Sequence, residues 1–260
     1  MRSLLNYLMA LVRVAAYFDR RGGRLFTLAA LLLAGSRGMQ VAAFFLPIKV
    51  LILMASAREP GYYHYLKPYL TLDQLMLGML LLVPVFYFSY IILGVMHRRV
   101  LDADLNRHKG ASFECGALKL KSAQMASLHR RLAKAYADMW LMLGTLLVIT
   151  LIRPLLGAPV AVLLLLNLLL FDAYAFAADE DKRLTVFRLH RRQFIEYIAS
   201  SNFLVVFFML AWGVTRLGVN VFSAVLVLLL SRMLFQAVQR FSVESLSLKE
   251  QVVKVSGGLK

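Results

Sequence analysis

Apolar residues fall into six long blocks along this chain. The first, 26–57, reads FTLAALLLAGSRGMQVAAFFLPIKVLILMASA and is interrupted by Arg37, Gln40, Pro47 and Lys49. A helix crosses a hydrocarbon core with about 20 apolar residues, so this block spans a bilayer with length to spare. The second block occupies 75–95 and holds Pro84, a predicted kink. The third ends at Ile152 and is apolar from Trp140 onward. The others lie at 160–178, 194–214 and 219–238. A tight turn at 153–159 joins the third to the fourth, and only 215–218 separate the fifth from the sixth.

Residues 1–24 follow a different pattern. Leu4, Leu5, Tyr7, Leu8, Leu11, Val12 and Phe18 gather on one helical face, and Arg2, Asn6, Arg13 and Arg20 on the other. Arg13 and the run Asp19-Arg20-Arg21-Gly22-Gly23-Arg24 are unlike a signal peptide. The pattern predicts an interfacial helix that breaks at Gly22-Gly23 into the first span.

The polar stretches after the second and fourth blocks are long, at 97–136 and 179–193. Residues 125–138 (MASLHRRLAKAYAD) contain strong helix formers and neither Gly nor Pro, so the spans are predicted to continue as helical arms. Gly110 and Gly116 bracket a turn. The expected fold class is all-α. It is a polytopic membrane protein with an interfacial helix at 1–24, a six-helix transmembrane domain at 25–240 and a cytoplasmic tail at 241–260.

Composition sharpens this picture. Of the 260 residues 60% are hydrophobic, above the usual content of soluble domains. The net charge is +16, and its placement carries the meaning. With six spans, 23 of the 30 Lys and Arg fall on the side of the termini and the two long stretches. Four, Arg58, Lys67, Arg153 and Arg216, fall on the other, and Arg37, Lys49 and Arg232 lie within spans. Basic residues stay in the cytoplasm, so both termini are expected there, as in a bacterial inner-membrane protein. The same asymmetry accounts for the charge without nucleic acid as a partner. Anionic membrane lipid is the expected neighbour of the basic side.

Candidate chemistry is sparse. The single cysteine, Cys115, builds neither a disulfide framework nor a zinc site. No phosphate loop, metal motif or nucleophile–base set within a span occurs, so no catalytic residue, metal or cofactor is expected in this chain. His97, His108, His129 and His190 lie among basic residues and are expected to be solvated. Ionisable groups at membrane depth carry more information, because each is costly against lipid. Asp172 and Arg232 lie at compatible depths and are expected to form a buried charge pair. Arg37 has three outlets: snorkelling, pairing with Asp172, or lining a polar cavity for an anionic headgroup. Arg37, Gln40 and Lys49 are the candidate substrate-binding residues, and Lys49 also lies close enough to the outer face to snorkel.

This organisation resembles the membrane domain of the ATP-binding-cassette exporter family across almost the whole chain. The similarity rests on the elbow-like first helix, on LPIKVLI at 46–52, and on the two long cytoplasmic loops. It rests most on 213–218 followed by AVLVLLLSRMLFQAV at 224–238, which looks like that family's last helical pair. The resemblance implies a transport permease. It implies a homodimer or a heterodimer with a related chain, an amphipathic or lipid-linked anionic substrate, and loop tips that meet a partner, here Lys109, Phe113, Glu114, Asp181 and Arg183. Two departures stand out. No nucleotide-binding domain follows the sixth span in this sequence, so the ATPase is expected on a separate chain. The second loop is also too short for ordinary coupling. The rival reading is a non-transporting scaffold or regulatory subunit of an envelope-biosynthesis complex.

Overall fold

The computed structural model of the chain describes residues 2–55, 63, 68–108, 114–115, 118–119, 122–176 and 191–258. Among these, the long helices are α1 (Arg2–Gly22), α2 (Leu25–Ala55), α3 (Leu72–His108), α4 (Ser122–Ile152), α5 (Pro154–Leu170), α6 (Arg191–Arg216) and α7 (Val221–Gly258). A π-helical turn, Phe171–Phe176, extends α5. Between α3 and α4, Glu114–Cys115 and Leu118–Lys119 pair antiparallel in a minimal hairpin. Helices α2 to α7 are each long and apolar enough to cross a membrane, which makes the chain an integral membrane protein.

Packing is uneven. Only 6% of the most apolar stretch of α3 is buried, against 50% in α7. Leu77, Leu81, Val85, Phe88 and Ile92 of α3 all point outward. Lipid tails are as apolar as leucine, so a spanning helix gains little by burying such residues in protein. Helix α3 rests mainly on α2. Small residues let the two approach: a Cβ on Gly94 would lie 3.5 Å from the Ser36 hydroxyl, which itself donates to the Tyr90 carbonyl at 2.9 Å. His97 adds a second tie, with Nδ1 2.8 Å from the Ala29 carbonyl. A carbonyl only accepts, so Nδ1 carries the hydrogen. At the α4–α5 turn, a Cβ on Gly157 would come within 2.8 Å of the Thr150 Cα, so only glycine fits there.

Helix α1 is itself docked against the bundle. Leu4, Tyr7, Leu11, Val14 and Phe18 are buried against α2, α4 and α7, while Leu5, Met9 and Val12 remain exposed beside Arg13. Phe18 stacks on Phe26 at 5.4 Å and meets the His129 ring edge-on at 5.0 Å. Beneath them His129 Nε2 lies 2.9 Å from Asp104 Oδ2, and both side chains are fully buried. Tyr7 faces Ser245 and Glu244 of α7, and burial above all pushes its phenol up to about 12, so it stays neutral at physiological pH. Each end of α1 is tied down. Leu4 N donates to Asp172 Oδ1 at 2.9 Å, so a carboxylate from the π-helical turn satisfies one of the open amides at the start of α1. Asp19 accepts from Thr27 N at 3.0 Å and from the Thr27 hydroxyl, capping the first turn of α2. Gly23 and Arg24, at φ 70° and 66°, make the corner between the two helices.

The structure moves several sequence-based boundaries. Helix α5 begins at Pro154, six residues before the expected fourth span, because proline at the first helical position starts a helix without losing a bond. Helix α7 does not stop near 240; it continues to Gly258, so the expected tail is mostly helix. His97 and His129, expected in solvent, are buried, His97 against Ala29 of α2 and His129 among Phe18 of α1, Phe26 of α2 and Asp104 of α3. Helix α1 covers His129, which the basic sequence around it did not reveal.

Candidate functional site

A polar stripe runs down α7 through otherwise apolar sequence: Arg232, Gln236, Gln239, Arg240 and Glu244. Spacings of three and four place these residues on one helical face. Three adjoining cavities follow the stripe. The first, about 340 Å³, is lined by Arg37 of α2, Lys134 and Asp138 of α4, Glu196 of α6, and Gln239, Arg240 and Glu244 of α7. The second, about 390 Å³, shares Gln239 and adds Ser200, Phe203, Arg232 and Gln236. The third, about 250 Å³, shares Arg232 and Gln236 and adds Gln40, Val41, Phe44 and Leu229. Through these shared residues they form a partly open groove along α7, bordered by α2 and α6. Leu229 and Glu244 mark its ends, roughly 22 Å apart at 1.5 Å per residue.

The mouth is charged and balanced. Asp138, only 1% exposed, accepts from Arg37 Nη1 and from Arg240 Nε, the latter at 3.1 Å. Arg37, Lys134 and Arg240 therefore face Asp138, Glu196 and Glu244 across one cavity, three cations against three acids. The deep end differs. Arg232 is exposed and lines both of the other cavities, and the described residues that line them are otherwise neutral: glutamines, a serine and apolar side chains.

The structure redistributes the residues singled out from sequence. Arg37 and Gln40 both line the groove, in different cavities. Lys49 is half-buried on α2 and lines none of these three. The expected pair of Asp172 and Arg232 does not form. Asp172 is buried at the start of α1, and Arg232 opens onto the groove. Similar depth along two helices fixes neither the direction each side chain takes nor the helix it meets. The acid that Arg37 meets is Asp138, which sequence reasoning passed over. It is the last residue of the basic arm at 125–138, two before the apolar run that opens at Trp140, and so was read with the arm and not among the charges at membrane depth. The i, i+4, i+7 spacing of Arg232, Gln236 and Gln239 was the signal that could have found the groove. Among the proposed partner contacts, Lys109, Phe113, Asp181 and Arg183 lie outside the described residues. Glu114 begins the first hairpin strand.

Among the described residues no group of three or more His, Cys, Asp or Glu side chains is arranged to hold a metal ion. Compared with known proteins, the sequence matches no family model, and neither a curated protein nor a solved structure gives a significant match.

Proposed function

We propose that this chain is the membrane subunit of an exporter-type transporter for an amphipathic or lipid-linked anion. A separate ATPase chain supplies the energy, and a second membrane half, identical or related, completes the pathway. The observation that carries this reading is the groove along α7. Polar and charged residues facing lipid would each be costly, so a stripe of them within a span needs shelter. The cavities between α2, α6 and α7 give that shelter and are partly open. A headgroup can enter while its apolar tail stays in the bilayer. Phe44, Phe203 and Leu229 line the same cavities and suit the first part of such a tail.

Photocapture tests this. A benzophenone amino acid replacing Gln239, which lines two of the cavities, should capture one amphipathic species from native membranes well above its abundance. The same probe replacing Leu81, on the outward face of α3, should capture bulk lipid. Equal capture profiles at the two positions would sink the transport reading and favour the scaffold.

The reading also fixes orientation, with termini and basic arms in the cytoplasm of an inner-membrane protein. Tyr69 is 82% exposed in the connection before α3. A membrane-impermeant thiol reagent added to intact cells should label a cysteine placed there. Cys115 should react only after permeabilisation. Labelling in the opposite order would reverse the topology.

A further inference from the structure

We infer that the deep end of the groove is an oxyanion site centred on Arg232, selective for a phosphate-type headgroup. It rests on the transport reading for its purpose, and on separate observations for its chemistry. Arg232 lies within an apolar span, lines two cavities at once, and faces no acid among the described residues that line either. The contrast with the mouth is internal to the molecule. Eight residues along the same helix, Arg240 shares Asp138 with Arg37, and the surrounding charges cancel. The deep cation has no such compensation among the lining residues. Gln236 lines both cavities with it, Ser200 one and Gln40 the other, so each cavity also offers amide or hydroxyl donors for oxygen atoms. A guanidinium presents five donors in a rigid fork that matches two oxygens of one phosphate, which a lysine in its place would not. Val41, Phe44, Leu229 and Met233 flank the third cavity, so the bound group carries an apolar extension.

The geometry also gives the groove a direction of selection. A neutral mouth of paired charges admits polar headgroups without holding anions tightly. The uncompensated cation about 12 Å further in then retains the anionic ones.

Native mass spectrometry on the full chain in detergent tests the site, with phosphatidylglycerol, phosphatidic acid and phosphatidylcholine as probes. The wild type should hold the two anionic lipids well above the zwitterionic one. Hydrogen bonds to charged groups are large enough that Arg232→Gln should weaken anionic-lipid binding about tenfold and bring it near the phosphatidylcholine level. Arg232→Lys keeps the charge without the fork and should retain part of the preference. Arg130→Gln is the control for net charge: that arginine is exposed and paired with Asp102 away from the groove, and its loss should leave the preference intact. Inorganic phosphate added in excess distinguishes the source. Displacement of phosphatidylglycerol marks a site for phosphate itself, and resistance marks one that needs the lipid; both support the assignment. Unchanged selectivity in Arg232→Gln overturns it, as does an equal loss in Arg130→Gln. So does a conversion of dimer to monomer in Arg232→Gln with lipid binding intact, which makes the residue an interface contact. Enriched capture at position 239 together with unchanged selectivity in Arg232→Gln would leave the transport reading standing and remove only the anion site.

Discussion

Asp138→Asn is expected to cost about 3–5 kcal/mol of folding stability, because it strands two guanidinium groups around a site that held their counter-charge. The lower end of that range is the better expectation. The Arg37 and Arg240 side chains keep 22% and 38% exposure, so water recovers some of the lost interaction. Arg37→Gln should cost less, since Asp138 retains Arg240. The double variant Arg37→Gln/Asp138→Asn should be more stable than the sum of the two losses predicts, because one charge of each sign has gone together. Reversible unfolding in mixed micelles measures all three. Strict additivity would mean that the two side chains do not share their energy. The arrangement also changes what Arg37 can report about function. A loss of activity in Arg37→Gln would mix a stability defect with any binding defect, so Arg232 and Gln239 are the cleaner probes of the groove.

The second large effect lies outside the apolar spans. Phe18→Ala should cost about 3–5 kcal/mol, the range for truncating a fully buried aromatic residue. Phe18 has no exposed surface and closes over the Asp104–His129 pair together with Phe26. Its removal opens a cavity beside two buried polar groups, so water should enter and α1 should loosen. Limited proteolysis separates the two consequences. Cleavage within 2–22 at a rate far above wild type, with the six spans intact, shows local undocking of α1. A melt unchanged from wild type would show that the ring does not hold α1 in place.

Much of the architecture was legible in the sequence because bilayer thickness sets a length that composition must meet. Each apolar block at 26–57, 75–95 and onward became a helix near its expected place. The face of α1 was legible in part: Leu4, Tyr7, Leu11 and Phe18 follow the helical period and are buried together, whereas Leu5 and Val12, expected on the same face, are exposed. What the sequence did not show was direction around each axis. A lone charge in a span, such as Arg232 or Asp172, has no period to orient it, and its partner lies in a distant block. Asp172 could not be matched to the backbone amide of Leu4 by any side-chain rule, because a backbone donor has no sequence signature. His129 was misjudged for a related reason. Its neighbours in sequence are arginines, but its neighbours in space are Phe18, Phe26 and Asp104.

The docking of α1 also sets a timetable for the newborn chain. Its partners are Phe26, His129, Asp172 and the region of α7 around Ser245, and several of these leave the ribosome long after α1 does. Contacts of such sequence separation form last, after the intervening chain has been ordered. Until then both apolar sides of α1 lack a protein partner. Leu5, Met9 and Val12 beside Arg13 offer an edge that can rest on an anionic leaflet during the wait. Helix α1, synthesised before each of these partners, is thus seated only after the most distant of them has emerged. Any lesion that slows insertion of the sixth span leaves it waiting longer at the membrane surface, exposed to proteases.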